Sequence, residues 1–296
     1  MKKVLITGKT SYIGRSFKAY VEANYPAEIQ VDSISVRGDA WQSYDFSGYD
    51  AVLHLAGKAH ADVSNVSEKV KQEYYAINKD LAVAVAEKYK SERCGFSQFI
   101  YLSSIIVYGQ KVERITAKTP TNPDNFYGDS KVQAELALKP LSNDTFQVLL
   151  IRPPMIYGPH SKGNFPVLVK LAKTTPIFPK VTNQRSILFI DNLNEFIHQL
   201  IMNQQETNTY FPQNQEYVNT TELVQLIRHL QHKHMLLLPG FNGFVHMLME
   251  QTNKFGTYAN KAFGSLTYEK QLATLNKIRV SDYQVLSFEE SIRRSI

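Results

Sequence analysis

"KKVLITGKTSYIG", residues 2–14, decides the fold. Val4, Leu5 and Ile6 form a continuous apolar run, as in a strand buried on both faces. From Tyr12 onward the spacing turns helical, with Ile13, Phe17, Tyr20 and Val21 on one side. Between strand and helix lies a short loop bounded by Gly8 and Gly14. Gly8 permits a tight turn, and Gly14 lets the helix pack closely on the strand. These are the positions of the outer glycines in a dinucleotide-binding turn, where a helix N-terminus faces a pyrophosphate. Ser11 takes the middle position and either crowds the phosphates or donates to them. Gly8, Thr10, Ser11, Tyr12, Ile13 and Gly14 are therefore candidate cofactor contacts.

The alternation continues outward from that loop. "EIQVDSISV" and "YDAVLHLAG" read as strands, and residues 66–90 as one long helix. Strand "QFIYLSS", loop "TPTNPDN", helix "FYGDSKVQAELAL" and strand "FQVLLIRPP" follow. Strand–helix alternation with right-handed crossovers implies an α/β fold: a doubly wound parallel sheet of the Rossmann type. "GNFPVLVKLAKTTP" reads as a helix, and "RSILFIDNLNEFIHQLIMN" as a strand running into one. The expected division is a dinucleotide-binding domain over residues 1–160, with 186–203 returning to it. Residues 161–185 and 204–296 would form a smaller, interleaved substrate lobe.

Bulk properties narrow the function. The 296 residues carry a formal net charge of +6 without any Lys/Arg run. Dispersed positive charge suits a phosphate-bearing small molecule and gives no footprint for nucleic acid. The single cysteine, Cys94, reads as a small buried residue before a strand. It forms no intramolecular disulfide, and a reducing, cytoplasmic compartment is expected. The longest apolar stretch, "HMLLLPGFNGFVHMLM", is broken by Pro239 and Gly240 and is shorter than the roughly 20 residues that span a bilayer. A core helix or an oligomer contact is expected there, and no membrane contact.

Two further stretches carry chemistry. "YLSSIIVYG" ends a strand and offers the hydroxyls of Ser103, Ser104 and Tyr108. "YGDSK" places Tyr127 and Lys131 at i and i+4 on one helix face. A tyrosine with a pKa of about 10 is a poor base at neutral pH. A neighbouring ammonium is expected to lower that value and make Tyr127 a usable proton donor or acceptor. A serine hydroxyl can hold a substrate oxygen while hydride moves.

With these residues in hand, the chain resembles the extended short-chain dehydrogenase/reductases that act on nucleotide sugars, the NAD-dependent epimerase/dehydratase family. "TGKTSYIG" is similar to the cofactor loop, "HLAG" to the strand end beside the cofactor, and "SSIIVYG" and "YGDSK" to the catalytic segments. The resemblance implies Ser104, Tyr127 and Lys131 as catalytic residues. It implies cofactor contacts at Leu55, Ala56, Gly57, Lys58, Asn78 and Pro154, with Lys58 reaching the diphosphate. "KGNF" and "QRSILFIDNL" resemble sugar-nucleotide segments, so Asn164 would touch the substrate and Arg185 its diphosphate, alongside Ser104 and Tyr127. The tail "LSFEESIRRSI" resembles a subgroup making bacterial polysaccharide precursors. UDP and a homodimer through residues 66–90 and 127–138 come only from this resemblance.

Fold alone does not choose the reaction. Family dehydratases carry an acidic pair where this chain has Ile105 and Ile106, which do no acid–base chemistry. At the end of the second strand stands Arg37, in "ISVRGD". An acid there would bind the ribose hydroxyls of NAD, whereas arginine accepts the 2′-phosphate of NADP. Asp32 lies mid-strand, and Asp39 follows the turn. Reading Arg37-Gly38-Asp39 as an adhesion tripeptide would need an extracellular protein. NADP(H) is favoured, NAD remains open, and the expected reaction is NADPH reduction of a UDP-4-keto-6-deoxy-hexosamine. The alternatives are a UDP-sugar 4-epimerase with tightly held NAD and a non-catalytic NADP-binding regulator. No metal is expected: His232 and His234 lack a third ligand at suitable spacing. His54 reads as a satisfied core histidine, with His60 beyond it.

Overall fold

The computed structural model of the chain describes residues 1–59, 66–204, 207–251 and 254–296. His60 lies outside them. The chain opens with β1 (Lys2–Thr7), α1 (Tyr12–Asn24), β2 (Ile29–Ile34) and β3 (Ala51–His54). The expected long helix is α2 (Glu68–Tyr75) and α3 (Leu81–Glu92), joined by a π-helical turn at Ala76–Asp80. Then come β4 (Ser97–Leu102), the short β5 (Arg114–Ile115), α4 (Phe126–Leu138) and β6 (Phe146–Ile151).

Six parallel strands make the main sheet, in the order β10-β6-β4-β3-β1-β2, where β10 is Asn208–Tyr210. Because the strands are covered on both faces, consecutive residues point into different cores. Val4 and Ile6 pack with Phe17 and Val21 of α1. Leu5 packs on the other side with Ala82, Val85 and Ala86 of α3 and Leu138 of α4. The chain leaves β1 toward β2 on one side and toward β3 on the other. This topological switch opens a crevice beyond the carboxyl ends of β1 and β3.

Beyond β6 the chain forms β7 (Met155–Tyr157), α5 (Asn164–Thr174), β8 (Ile177–Pro179), β9 (Ile187–Phe189) and α6 (Ile190–Met202). Helix α6 lies against α1: Tyr20 and Tyr25 both donate to Glu195 Oε2, at 3.0 and 2.8 Å. The return to the main sheet runs further than 186–203, because β10 pairs with β6. The remaining elements are α7 (Thr220–His229), β11 (Leu236–Leu238), α8 (Asn242–Met249), α9 (Lys254–Phe263), β12 (Thr267–Tyr268), α10 (Val280–Tyr283) and α11 (Phe288–Ser295).

Two expectations are corrected here. Cys94 is exposed, not buried; it sits in the connection from α3 to β4, ahead of Gly95 at φ 86°, and such connections run over the surface. "HMLLLPGFNGFVHMLM" is not a core helix either. It divides into β11, a turn and α8, and Leu236, Phe241, Phe244 and Met247 stand exposed.

Candidate active site

The glycine loop sits at the topological switch. Gly8 has φ 118°, and a Cβ there would lie 2.9 Å from the Ala56 amide nitrogen. Only glycine gives both that conformation and that approach. The Gly8 and Lys9 amides both donate to the Ile34 carbonyl, drawing the loop to the end of β2. At Gly14 a Cβ would press on Ile6 Cγ2 at 3.0 Å and Leu55 Cδ1 at 3.2 Å, so the missing side chain sets the helix–strand distance. The Ser11 hydroxyl accepts from the Gly14 amide at 3.3 Å and caps α1, which leaves its O–H to donate. Tyr12 turns its phenol inward, where it is buried without a partner. Thr10 is exposed and Ile13 half-buried. A tight Gly8 turn, an open helix N-terminus and the adjoining Leu55–Ala56 backbone fit a dinucleotide's diphosphate.

Asn78 lies in the π-helical turn, fully buried. Its Oδ1 accepts the Lys58 amide at 2.8 Å, and its Nδ2 donates to the Lys58 carbonyl at 3.1 Å and Ser130 Oγ at 2.9 Å. Ser130 in turn donates to the Tyr127 carbonyl. Asn78 thus ties the β3 loop to α4. Gly57 lies under this clamp, where a Cβ would meet Asn78 Oδ1 at 3.1 Å and Lys131 Nζ at 3.5 Å. The Lys58 ammonium pairs with Glu73 at 2.6 Å and lies over the Tyr74 ring. The diphosphate role implied for Lys58 thus competes with this ion pair.

Ser104, Tyr127 and Lys131 come together at the carboxyl end of β4. Ser104 caps a 3-10 turn (Ile105–Tyr108) and hydrogen-bonds with Tyr127. Gly128 allows this: a Cβ there would stand 3.0 Å from the Ile106 carbonyl oxygen. Pro154 is buried just after β6, and the neighbouring Pro153 carbonyl accepts from the Ile105 amide at 3.0 Å. Lys131 donates to the Leu102 carbonyl at 2.9 Å and lies 4.6 Å from the Tyr101 ring centroid.

The expected lowering of the Tyr127 pKa is overturned. Burial pushes the phenol up to about 12, with the Ser104 hydrogen bond opposing and Tyr74 adding to the rise. Lys131 does not reverse this, for its ammonium is spent on Leu102, and burial lowers its own pKa to about 8 against the pull of Glu135. Tyr127 is therefore a protonated phenol at neutral pH.

Sequence reasoning missed the support beneath these groups. Glu135, one turn beyond Lys131, is buried and receives Arg152 through Nε at 2.9 Å and through Nη2. Arg152 Nη1 also reaches the Tyr108 hydroxyl at 2.6 Å. The signal available was the i+4 continuation Tyr127–Lys131–Glu135 and an arginine ending an otherwise apolar strand. His54 was expected to be satisfied; its Nδ1 is 2.8 Å from Thr7 Oγ1, but Nε2 is buried without a partner.

At the rim, Arg37 is exposed beyond β2, followed by Gly38 at φ 68°. Asp32 is already bound by the Tyr49 hydroxyl at 3.0 Å, and Asp39 is exposed ahead of a 3-10 turn without capping it. Asn164 is exposed at the start of α5. Arg185 caps α9: its Nη1 donates to the carbonyls of Asn260, Lys261 and Gly264 at 3.3, 3.0 and 2.9 Å. The diphosphate role implied for Arg185 thus competes with a structural one. Among the described residues no group of His, Cys, Asp and Glu could hold a metal ion.

A crevice at a parallel-sheet switch point, a glycine turn and a Ser/Tyr/Lys cluster define a dinucleotide-dependent oxidoreductase scaffold. The sequence profile of the NAD dependent epimerase/dehydratase family matches residues 4–212, and the chain belongs to that family of nicotinamide-dependent enzymes. It is 30% identical over 246 residues to a UDP-glucose 4-epimerase of Vibrio cholerae, covering 76% of this chain and 74% of that protein. It is 30% identical over 188 residues to the N-acetyl-alpha-D-glucosaminyl-diphospho-ditrans,octacis-undecaprenol 4-epimerase of Escherichia coli O157:H7, covering 60% of this chain and 53% of that protein. In fold it matches the dTDP-4-dehydrorhamnose reductase of Bacillus anthracis in complex with NADP, with a TM-score of 0.70 and 20% identity over 100% of this chain and 98% of that one.

Proposed function

We propose that the chain exchanges hydride at C4 of a UDP-linked sugar, in the direction of NADPH-dependent reduction of a UDP-4-keto-6-deoxy-hexosamine. The observation that carries this reading is the end of β2, where Arg37 is exposed next to the glycine loop while Asp32 is committed to Tyr49. A guanidinium suits the 2′-phosphate dianion of NADP. The bound cofactor supplies the hydride. Ser104 orients the C4 oxygen, and Tyr127, held protonated, gives its proton to that oxygen as it becomes an alcohol. Lys131, one turn on, would hold the cofactor ribose. Ile105 and Ile106 provide no acid–base group, which speaks against dehydration. UDP is supported by the name of the Vibrio cholerae relative.

Epimerisation at C4 is the second reading, favoured by the names of both curated relatives. Their carriers differ, one a nucleoside and one a lipid, but both present a diphosphate. The deciding experiment titrates NADPH and NADH into purified protein and then adds a UDP-4-keto-6-deoxy-hexosamine. The expected result is stoichiometric NADPH oxidation, with Arg37→Ala weakening NADPH binding roughly ten- to hundredfold. Copurifying NAD, inversion of a UDP-sugar at C4 without net NADPH use, and no effect of Arg37→Ala would replace reduction by epimerisation.

A further inference from the structure

The C-terminal lobe carries an apolar face. Strands β8 and β11 pair in parallel, and α8 and α9 lie beside them. Together they enclose an open cleft of about 260 Å³ lined by Phe178, Leu238, Phe241, Val245, Leu248 and Phe263 among others. Its rim does not fold inward. Phe244 is 52% exposed, Met247 51%, Leu236 60% and Ile177 45%. With Phe241, these make five of the eleven large hydrophobic side chains exposed among the described residues. Scattered exposed apolar residues are ordinary, but a cluster of aromatic and long side chains marks a contact surface.

Charge identifies what that surface meets. Residues 145–190 contain no Asp or Glu and six Lys or Arg; residues 223–249 contain none either. Exposed lysines lie in the segments that lead into and out of β8 and β11. The Lys180 amide donates to the Leu238 carbonyl, which puts Lys180 at the cleft edge. Arg228 bonds both the Ala172 and His234 carbonyls, which brings the segments bearing the exposed Lys173 and Lys233 together, with Glu222 lining the same hollow as Lys233. A second copy of the chain docking symmetrically would set this acid-poor basic face against itself, with like charges opposed. An anionic lipid surface offers the complement: phosphates for the lysines and an acyl boundary for the aromatic rim. No described helix is long and apolar enough to cross a membrane, so the contact is peripheral.

We propose that the face formed by β8, β11, α8 and α9 docks the protein on an anionic phospholipid bilayer, with Phe241, Phe244 and Met247 entering the headgroup–acyl boundary and Lys173, Lys180 and Lys233 on lipid phosphates. This departs from the reading of the stretch as a core helix or oligomer contact. It is independent of the reaction proposed above, because its test does not read turnover. The bearing on the site is close: Phe263 of the cleft adjoins Gly264, whose carbonyl holds Arg185.

The test is flotation of the whole protein with vesicles of phosphatidylcholine alone and of equal parts phosphatidylcholine and phosphatidylglycerol. Binding is expected to the mixed vesicles only and to weaken with salt. Phe244→Asp with Met247→Asp should abolish it. Each of Lys173→Glu, Lys180→Glu and Lys233→Glu should weaken it at least roughly fivefold. The substituted side chains are exposed, and circular dichroism checks that the variants fold. Failure of the wild type to float with mixed vesicles at low salt would overturn the proposal. So would a wild-type dimer in sedimentation velocity that Phe244→Asp dissociates, with vesicles left unbound.

Discussion

Asn78 holds Ser130, the residue before Lys131, through an Nδ2–Oγ bond of 2.9 Å, and accepts the Lys58 amide with its Oδ1 at 2.8 Å. One side chain thus fastens the loop after β3 to the helix bearing Tyr127 and Lys131. The Tyr101 hydroxyl holds the Asn78 carbonyl at 2.8 Å, which fixes the π-helical turn on the sheet. Asn78→Ala takes from the Lys58 amide and carbonyl the side chain that pairs them. We expect a loss of roughly 2–4 kcal/mol in urea unfolding, together with weaker NADPH binding. Unchanged stability and binding would show the clamp to be dispensable.

Tyr127 is the proton donor of the proposed reduction. Held at a pKa of about 12 by burial, it is a donor throughout the neutral range. Tyr127→Phe keeps the ring packed against Tyr74, at 6.1 Å between centroids, and removes only the hydroxyl. Turnover should fall by roughly 10²–10⁴, with NADPH affinity preserved. A variant that turns over normally would sink both the reductase and epimerase mechanisms.

Lys131 carries a stability cost at neutral pH. Its pKa falls from 10.5 to about 8 because burial penalises the ammonium. The unfolded chain therefore binds more protons between pH 8 and 10.5, and stability rises with pH across that window. The shift corresponds to ~3 kcal/mol, offset in part by the ammonium's bond to Leu102, worth roughly 1.5–3 kcal/mol. Lys131→Met should be as stable as the wild type or more so at pH 7, and the difference should shrink above pH 10.5, while turnover is lost. Strong destabilisation at pH 7 would show the ammonium to be a net structural asset.

The sheet, the glycine loop and the Tyr127–Lys131 face were legible because each depends on local spacing. Gly8 and Gly14 announce a turn, and an i, i+4 pair has to share a helix face. What escaped depends on contacts between distant segments. The Arg152–Glu135 pair joins the end of β6 to α4, and β10 joins β6 from 59 positions along the chain, as the Asn208–Leu149 pairing shows. No periodicity announces either. The sign of the Tyr127 shift was missed for a related reason. Adjacency on a helix fixes which residues are neighbours, but where Lys131 points is set by the Leu102 carbonyl on another element. Cys94 and the rim at Phe244 show the converse limit: apolar character alone does not say whether a partner covers it.

Arg152 and Glu135 form an ion pair in which both side chains are nearly inaccessible. The pair is further held by Tyr108 on Arg152 Nη1, and by the Tyr268 hydroxyl on the Arg152 carbonyl at 2.9 Å. Arg152→Leu strands a buried carboxylate beside Lys131. A loss of roughly 3–5 kcal/mol is expected in chemical denaturation. The double variant Arg152→Leu/Glu135→Leu should recover much of that, since two apolar groups leave no charge uncompensated. If the double variant is as unstable as the single, the cost lies in packing around Tyr108 and not in charge.

His54 sets an acid limit on the fold. Burial first, and then the Lys131 ammonium, lower its pKa from 6.5 to about 3, with the Ala56 backbone opposing. Below pH 6.5 the unfolded chain takes up a proton that the folded chain refuses, so stability falls as pH drops toward 3, by at most ~5 kcal/mol. His198 works in the opposite sense. Burial lowers its pKa, but Glu195 and Glu28 outweigh that and raise it, so its contribution is present below pH 6.5 and fades as pH rises through its folded value. Replacing His54 by Phe, which suits the aromatic neighbours Phe99 and Tyr101, should remove part of the acid slope. The check is urea unfolding of both proteins from pH 7 to 4. Parallel curves would assign acid sensitivity to other groups, whereas a gap that changes steadily in favour of His54→Phe on acidification would place it at His54.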